Sequence, residues 1–141
     1  MPSRKLEDLH PLMVEKAHRM IELARADGIE ILVTSTLRTF EEQADLFAIG
    51  RTKPGKIVTE AKAGESWHNF GLAFDIVPLV NGKAIWDSPF WSRIGELGKQ
   101  LDLIWGGNFK RFKDKPHFEF HPNLNLAEAN QRHANHQSVL A

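Results

Sequence analysis

The stretch Ser66-Trp67-His68-Asn69-Phe70-Gly71-Leu72-Ala73-Phe74-Asp75 carries an imidazole and a carboxylate seven positions apart, where a loop enters an apolar strand. Further along, Asp114-Lys115-Pro116-His117 carries a second imidazole three residues after an acid. Two histidines and one carboxylate are suitable zinc ligands that leave a fourth position open for water, and a spare acid can take that water's proton. The two segments therefore predict one zinc site, with His68, Asp75 and His117 as ligands.

Each of these residues also has an explanation without a metal. A carboxylate such as Asp75 in an apolar strand is costly to bury unless it is paired or metal-bound, and an arginine or backbone amide could be its partner. His68 taken alone is more typical of a loop or core histidine. His117, however, shares the two-residue spacing of a strand with Glu119 and His121. That spacing indicates a polar strand face, which favours the zinc site.

Acidic and hydroxyl groups next to these ligands have candidate roles. Asp114 is either a solvated loop acid beside Lys113 and Lys115 or the general base that removes a proton from zinc-bound water. Ser66 and Glu119 are candidates for groups that orient the ligand imidazoles or contact substrate.

Arg38 lies where a predicted strand ends and a helix begins, a common position for ligand contacts. Its guanidinium could hold a substrate carboxylate or stabilise an oxyanion. Pairing with Glu41 or Glu42 on the surface is the alternative. The basic cluster at residues 110–113 has two readings as well, a solvated loop or a surface that attracts substrate.

Outward from the quoted stretch, helices and strands alternate along the chain. Apolar spacing, caps and turn signals predict helices over residues 11–27, 39–49 and 90–101, and a polar helix or frayed end over 123–141. They predict strands over 29–35, 72–77, 103–106 and 116–121, the first of them central, with a turn at Asn81-Gly82 and a long loop over 51–66.

Composition indicates an ordinary globular protein of one domain, residues 1–141, with a core over about 9–121. Lys+Arg and Asp+Glu balance at 18 each, so no global field attracts nucleic acid or an anionic membrane. Cysteine is absent, which excludes disulfides and thiolate zinc sites. Neither a signal-peptide apolar region nor a membrane-spanning run is present, so we expect synthesis as a soluble cytoplasmic protein without membrane insertion.

The pattern Ser66-x-His68-x-x-Gly71-x-Ala73-x-Asp75 followed by Asp114-x-x-His117 resembles the M15 zinc peptidases of bacterial cell walls. The resemblance implies an α+β fold of the Hedgehog/D-Ala-D-Ala peptidase type, with helices packed on a small, mainly antiparallel sheet and zinc at its edge. It also implies that the two histidines and Asp75 bind Zn²⁺, that Asp114 is the base, and that Arg38 binds substrate or stabilises the transition state.

The acid at position 114, the stretch Thr36-x-Arg38-Thr39-x-x-Glu42-Gln43 and the short length are similar to the phage endolysin branch. That branch implies a monomeric enzyme that cuts the L-Ala–D-Glu bond of the peptidoglycan stem peptide. It would reach the periplasmic wall from the host cytoplasm through a holin-type lesion, causing lysis. The alternatives are a D-alanyl-D-alanine carboxypeptidase or dipeptidase with the same site, and a non-catalytic zinc-containing binding module.

Overall fold

Helices and strands follow one another in the order that the hydrophobic periods predict. The computed structural model describes residues 2–140. Within that range the helices are α1 (Pro11–Ala26), α2 (Phe40–Ala48), α3 (Trp91–Gln100) and α4 (Leu126–Ala134). The strands are β1 (Glu30–Ser35), β2 (Ala73–Val80), β3 (Lys83–Ala84), β4 (Ile104–Trp105) and β5 (His117–Glu119). Short 3-10 turns cover Leu6–Asp8, Trp67–Phe70 and Gly106–Asn108.

The first two helices begin and end where their sequence signals lie. Pro11 occupies the first turn of α1, where its missing N–H costs nothing, and Gly28 follows the helix with φ of +77°. At the start of α2, Thr39 Oγ1 accepts from the N–H of Glu42 at 3.0 Å. Glu42 Oε1 accepts from the N–H of Thr39 at 2.8 Å in return, and this capping box begins the helix where the prediction places it.

Strand β2 lies in the middle of an antiparallel sheet of order β1-β2-β5-β4, and β3 pairs with its C-terminal end. The prediction that β1 is central is wrong, because within residues 2–140 it pairs with β2 alone. Its apolar run reflects packing of one face against α1, where Ile31 is buried. Leu32 on the other face is 40% exposed. An apolar run indicates that other elements cover the faces of a strand, and it does not indicate how many strands are hydrogen-bonded to it.

The two faces of the sheet differ in polarity. Phe74 and Phe118 are register partners on the face that α1 and α3 cover, and their rings stack with centroids 5.9 Å apart. The two glycines of α3, Gly95 and Gly98, lie against the rings of Trp105 and Phe118, where a Cβ would collide. They allow the helix to approach the sheet closely. The opposite face of β2 and β5 carries polar side chains instead.

Residues 126–134 form helix α4, so this part of the predicted C-terminal helix or frayed end is a helix; Ala141 lies outside the described residues. Asn125 Oδ1 accepts from the N–H of Glu128 at 2.8 Å, and Ala129 is buried where α4 packs against the Trp67–Phe70 turn. Among residues 2–140, no helix combines the length and apolarity that crossing a membrane requires.

Candidate active site

The structure brings His68, Asp75 and His117 together, with their potential ligand atoms all within 4.8 Å of one another. Asp75 Oδ1 lies 3.2 Å from His68 Nε2 and 3.1 Å from His117 Nδ1. Asp75 and His117 are direct register partners of β2 and β5, so the sheet fixes their separation. Two imidazole nitrogens and a carboxylate oxygen converging in this way suit zinc.

His68 lies outside the sheet, on the 3-10 turn Trp67–Phe70. Ser66 Oγ accepts from the N–H of His68 at 3.3 Å, so the predicted contact of Ser66 runs to the backbone of this histidine. The imidazole itself is oriented by the carbonyl of Thr36, which lies 2.8 Å from Nδ1. Donation from Nδ1 to that carbonyl leaves Nε2 for Asp75 or a metal. The sequence indicated no role for Thr36, because any residue type can supply a backbone carbonyl.

The backbone conformation at Gly71 explains why the opening motif has a glycine there. It ends the 3-10 turn in the left-handed region, with φ of +68°. A Cβ at this position would also lie 2.9 Å from the backbone nitrogen of His10. Glycine is therefore required both by the turn that presents His68 and by the chain that crosses it.

His117 is held from its other side by Glu119, as the strand alternation predicts. His117 Nε2 lies 2.7 Å from Glu119 Oε1, and the second oxygen of Glu119 contacts His121 Nε2. Donation from His117 Nε2 to this carboxylate leaves its Nδ1 for Asp75 or a metal. The three side chains form the predicted polar face.

The charges of this cluster stabilise one another. Burial opposes the charge on His117, but hydrogen bonds to Asp75 and Glu119 outweigh it and raise the pKa of His117 to about 10. Burial likewise opposes ionisation of Asp75, yet its hydrogen bonds to His117 and His68 hold its pKa well below the usual range. For the same reasons the pKa of Glu119 falls to about 2, with His121 as its second partner. Two ionised carboxylates around the imidazoles thus create a site that favours a cation.

Asp114 lies on a loop beside the cluster and lines a cavity of about 380 Å³ together with all three of its residues. Its carbonyl accepts from the N–H of His117 at 3.1 Å, which closes a turn before β5. Solvent reaches the residue, but the atoms packed around its carboxyl desolvate it. Desolvation and then the charge of Asp75 raise the pKa of Asp114.

Arg38 lines the same cavity from the opposite connection, after β1. Its Nη1 donates to Gln43 Oε1 at 2.9 Å, and Gln43 Nε2 donates to the carbonyl of Ala61 at 2.7 Å. The side chain is half-buried, and its Nε has no hydrogen-bond partner among the described residues. Gln43, which is fully buried, had no predicted role; a polar residue at a core position of α2 was the available signal.

A larger cavity of about 720 Å³ continues from the smaller one, since Val58, Thr59, Ser66, Asp114 and His117 line both. One wall comes from the long loop over 51–66. The other wall includes Arg111, Phe112 and Lys113 of the basic cluster, all exposed. The site therefore opens into a groove with room for a ligand that extends beyond the cluster.

Comparison with known proteins points to one family. The family model described as D-alanyl-D-alanine carboxypeptidase, of the M15 peptidases, matches residues 59–120. The chain is 42% identical over 126 residues to the peptidoglycan L-alanyl-D-glutamate endopeptidase CwlK of Bacillus subtilis (strain 168), covering 82% of this chain and 75% of that protein. It is 30% identical over 108 residues to the L-alanyl-D-glutamate peptidase of Listeria phage A118, covering 74% of this chain but only 35% of the phage protein.

Solved structures with a similar fold include two further peptidases. The L-Ala D-Glu endopeptidase ChiX of Serratia marcescens matches with a TM-score of 0.59 at 25% identity, covering 85% of this chain and 88% of ChiX. The vancomycin resistance D,D-pentapeptidase VanY, solved with Zn(II), matches with a TM-score of 0.61 at 16% identity, covering 93% and 81%. The latter likeness concerns the fold alone, and it confirms the predicted fold class.

Proposed function

Since the chain belongs to the M15 family of peptidases, we propose that it is a zinc-dependent peptidase that hydrolyses the L-Ala–D-Glu bond of peptidoglycan stem peptides. One observation carries the proposal: three potential zinc ligands within 4.8 Å of one another share a cavity with an acid and an arginine. The bond specificity is supported by two relatives named for it, of which CwlK matches over most of its length.

We assign His68 Nε2, Asp75 Oδ1 and His117 Nδ1 as the metal-binding atoms. Both nitrogens lie against Asp75 Oδ1, and each imidazole uses its remaining nitrogen on an acceptor, the Thr36 carbonyl or Glu119. This donor set fits zinc with one position left for water or substrate. When bound, zinc would supply polarisation of the scissile carbonyl and a lower pKa for the attacking water.

Asp114 is proposed as the general base. It would accept a proton from the water that attacks the scissile carbonyl and then deliver it to the amine released when the C–N bond breaks. Its raised pKa serves both steps, because a base works best when its pKa approaches the working pH. Its place on the cavity wall, outside the ligand cluster, leaves the carboxylate free for this role.

Arg38 is proposed to bind the developing oxyanion or an adjacent carboxylate of the substrate. Gln43 holds one end of the guanidinium, and the half-buried position strengthens its interaction with a negative charge. A stem peptide containing D-Glu offers such carboxylates. The groove of about 720 Å³ has room for stem residues beyond the bond that is cut.

The biological setting follows from the same proposal. We propose that residues 1–141 act as one monomeric catalytic domain on peptidoglycan and have no role in nucleic-acid binding. The likeness to a phage peptidase supports a role as an endolysin that degrades the host wall, reaching it from the cytoplasm after release through a holin-type lesion.

The proposal is tested by digesting purified sacculi and identifying the new termini by mass spectrometry. We expect new L-Ala carboxyl and D-Glu amino termini from the zinc-loaded protein and none from the protein treated with a chelator. Release of free D-Ala with intact L-Ala–D-Glu bonds would instead assign the D-alanyl-D-alanine carboxypeptidase activity. Zinc binding without any cleavage would indicate a binding module.

A further inference from the structure

The two histidines of the metal cluster are supported differently, and a contact outside the cluster joins their supports. His117 belongs to the sheet, whereas His68 lies on a turn of four residues. The residue before His68 is Trp67, whose ring stacks on the imidazole of His121 with centroids 4.0 Å apart and planes 7° from parallel. His121 follows the strand that carries His117.

His121 also reaches the cluster through hydrogen bonds. Its Nε2 contacts one oxygen of Glu119, and the other oxygen of Glu119 lies 2.7 Å from His117 Nε2. The contacts close a ring: His68 is bonded to Trp67, Trp67 stacks on His121, and His121 binds Glu119, which binds His117. Asp75 completes it between the two histidines.

We propose that Trp67 and His121 are positioning residues that hold the turn bearing His68 against the strand bearing His117. The proposal rests on the assignment of the zinc ligands above. Neither side chain belongs to the ligand set, and neither is aimed at a ligand nitrogen. They act by fixing the separation of His68 and His117 and the rotamer of Glu119.

The physical reason is that Glu119 has its two oxygens on two different histidines. Without His121, one oxygen loses its partner and the carboxylate can rotate away from His117. Without the stack, the turn keeps its Ser66 cap but loses the contact between the Trp67 ring and His121, which follows β5. Partners that bind a ligand directly change metal affinity about 10–100-fold, so we expect roughly tenfold or less for residues one contact further away.

Two substitutions separate the links. His121→Phe keeps a ring for Trp67 and loses the hydrogen bond to Glu119, whereas His121→Gln keeps a donor and loses the ring. His121→Ala removes both. A matched control is His18→Ala, since His18 is exposed on α1, which packs on the face of the sheet opposite the cluster.

Zinc affinity by chelator competition and the visible spectrum of the Co(II)-substituted protein are the readouts, with thermal midpoints to compare general stability. We expect affinity to fall most in His121→Ala and less in His121→Phe and His121→Gln, with an altered Co(II) spectrum, and wild-type values in His18→Ala. Wild-type affinity and spectrum in His121→Ala would overturn the positioning role alone. A wild-type protein that binds no zinc would overturn the ligand assignment and this inference together.

Discussion

Asp75 and His117 face each other across adjacent strands, whereas Asp114 and Arg38 lie on connections outside the sheet. The first pair is fixed by strand register and by hydrogen bonds on both sides of the imidazole. The second pair lines the cavity from loops, and the carboxyl group of Asp114 forms no hydrogen bond among residues 2–140. The difference suggests a division of work in which the sheet holds the metal and the loops carry the groups that meet substrate.

The largest effect should come from breaking the half of the site that the sheet holds. Asp75→Asn keeps the size of the side chain but removes the charge between the two histidines. We expect zinc affinity to fall by more than the ~10–100-fold typical of ligand partners, and activity to be lost with it. Chelator competition measures the affinity, with the exposed Asp102→Asn as control. Wild-type affinity in Asp75→Asn would place the metal elsewhere.

The next effect comes from the loop acid and sharpens the comparison, because it separates catalysis from metal binding. We expect Asp114→Asn to lower kcat by about 10²–10⁴-fold, the contribution of a general base, while zinc affinity stays within error of wild type. Steady-state hydrolysis of a stem-peptide substrate and a zinc titration measure the two quantities. A variant that loses zinc and activity together would make Asp114 a ligand.

A smaller effect is expected at the other loop group. Arg38→Lys keeps the positive charge but loses the planar fork and the donor geometry toward Gln43. We expect kcat/KM to fall by up to about 10²–10³-fold, with zinc binding unchanged. The exposed Arg19→Lys serves as the control. Unchanged kcat/KM in Arg38→Lys would leave only charge, and no specific geometry, as its contribution.

The smallest effect concerns pH and the stability of the metal-free protein. The pKa of His117 is raised to about 10 in the fold, so between its ordinary value near 6.5 and 10 the folded chain holds a proton that the unfolded chain has released. Stability from this group is therefore complete below about pH 6.5 and declines as pH rises toward 10. We expect urea midpoints of the metal-free protein to fall over that window.

Zinc offers the control for this pH effect. A zinc-loaded protein has a neutral His117 bound to metal and should lack the decline that the metal-free protein shows. At the acid end, the lowered pKa values of Asp75 and Glu119 mean that their contribution is lost as pH falls below about 4. Equal urea midpoints at pH 7 and pH 9.5 without metal would contradict the paired state of His117.

The site residues that lie on strands could be predicted from the sequence, whereas the contacts that hold His68 and Arg38 in place could not. An acid within an apolar strand, Asp75, and the alternation of His117 with Glu119 are visible in the residue types, so the grouping of these residues was predictable. The carbonyl of Thr36 and the link from Arg38 through Gln43 to the 51–66 loop depend on the backbone path, which residue type does not encode.

The fold shows the same limit. Helix bounds could be predicted from caps and apolar spacing. The role of the two α3 glycines could not, because it depends on the rings of Trp105 and Phe118 that pack against them. The order of strands was less accessible, because β1 has the apolar run of a central strand and lies at an edge. Strand order depends on which segments meet across long loops, and no single segment contains that information.

One titration tests the central claim most directly. Metal-free protein receives zinc in steps while cleavage of the L-Ala–D-Glu bond and bound zinc are followed together, in wild type and in Asp114→Asn. We predict that wild-type activity rises in proportion to bound zinc and stops at one ion per chain, and that Asp114→Asn binds the same single ion with little activity. Full activity without zinc, or equal activity in the two proteins, would contradict the account.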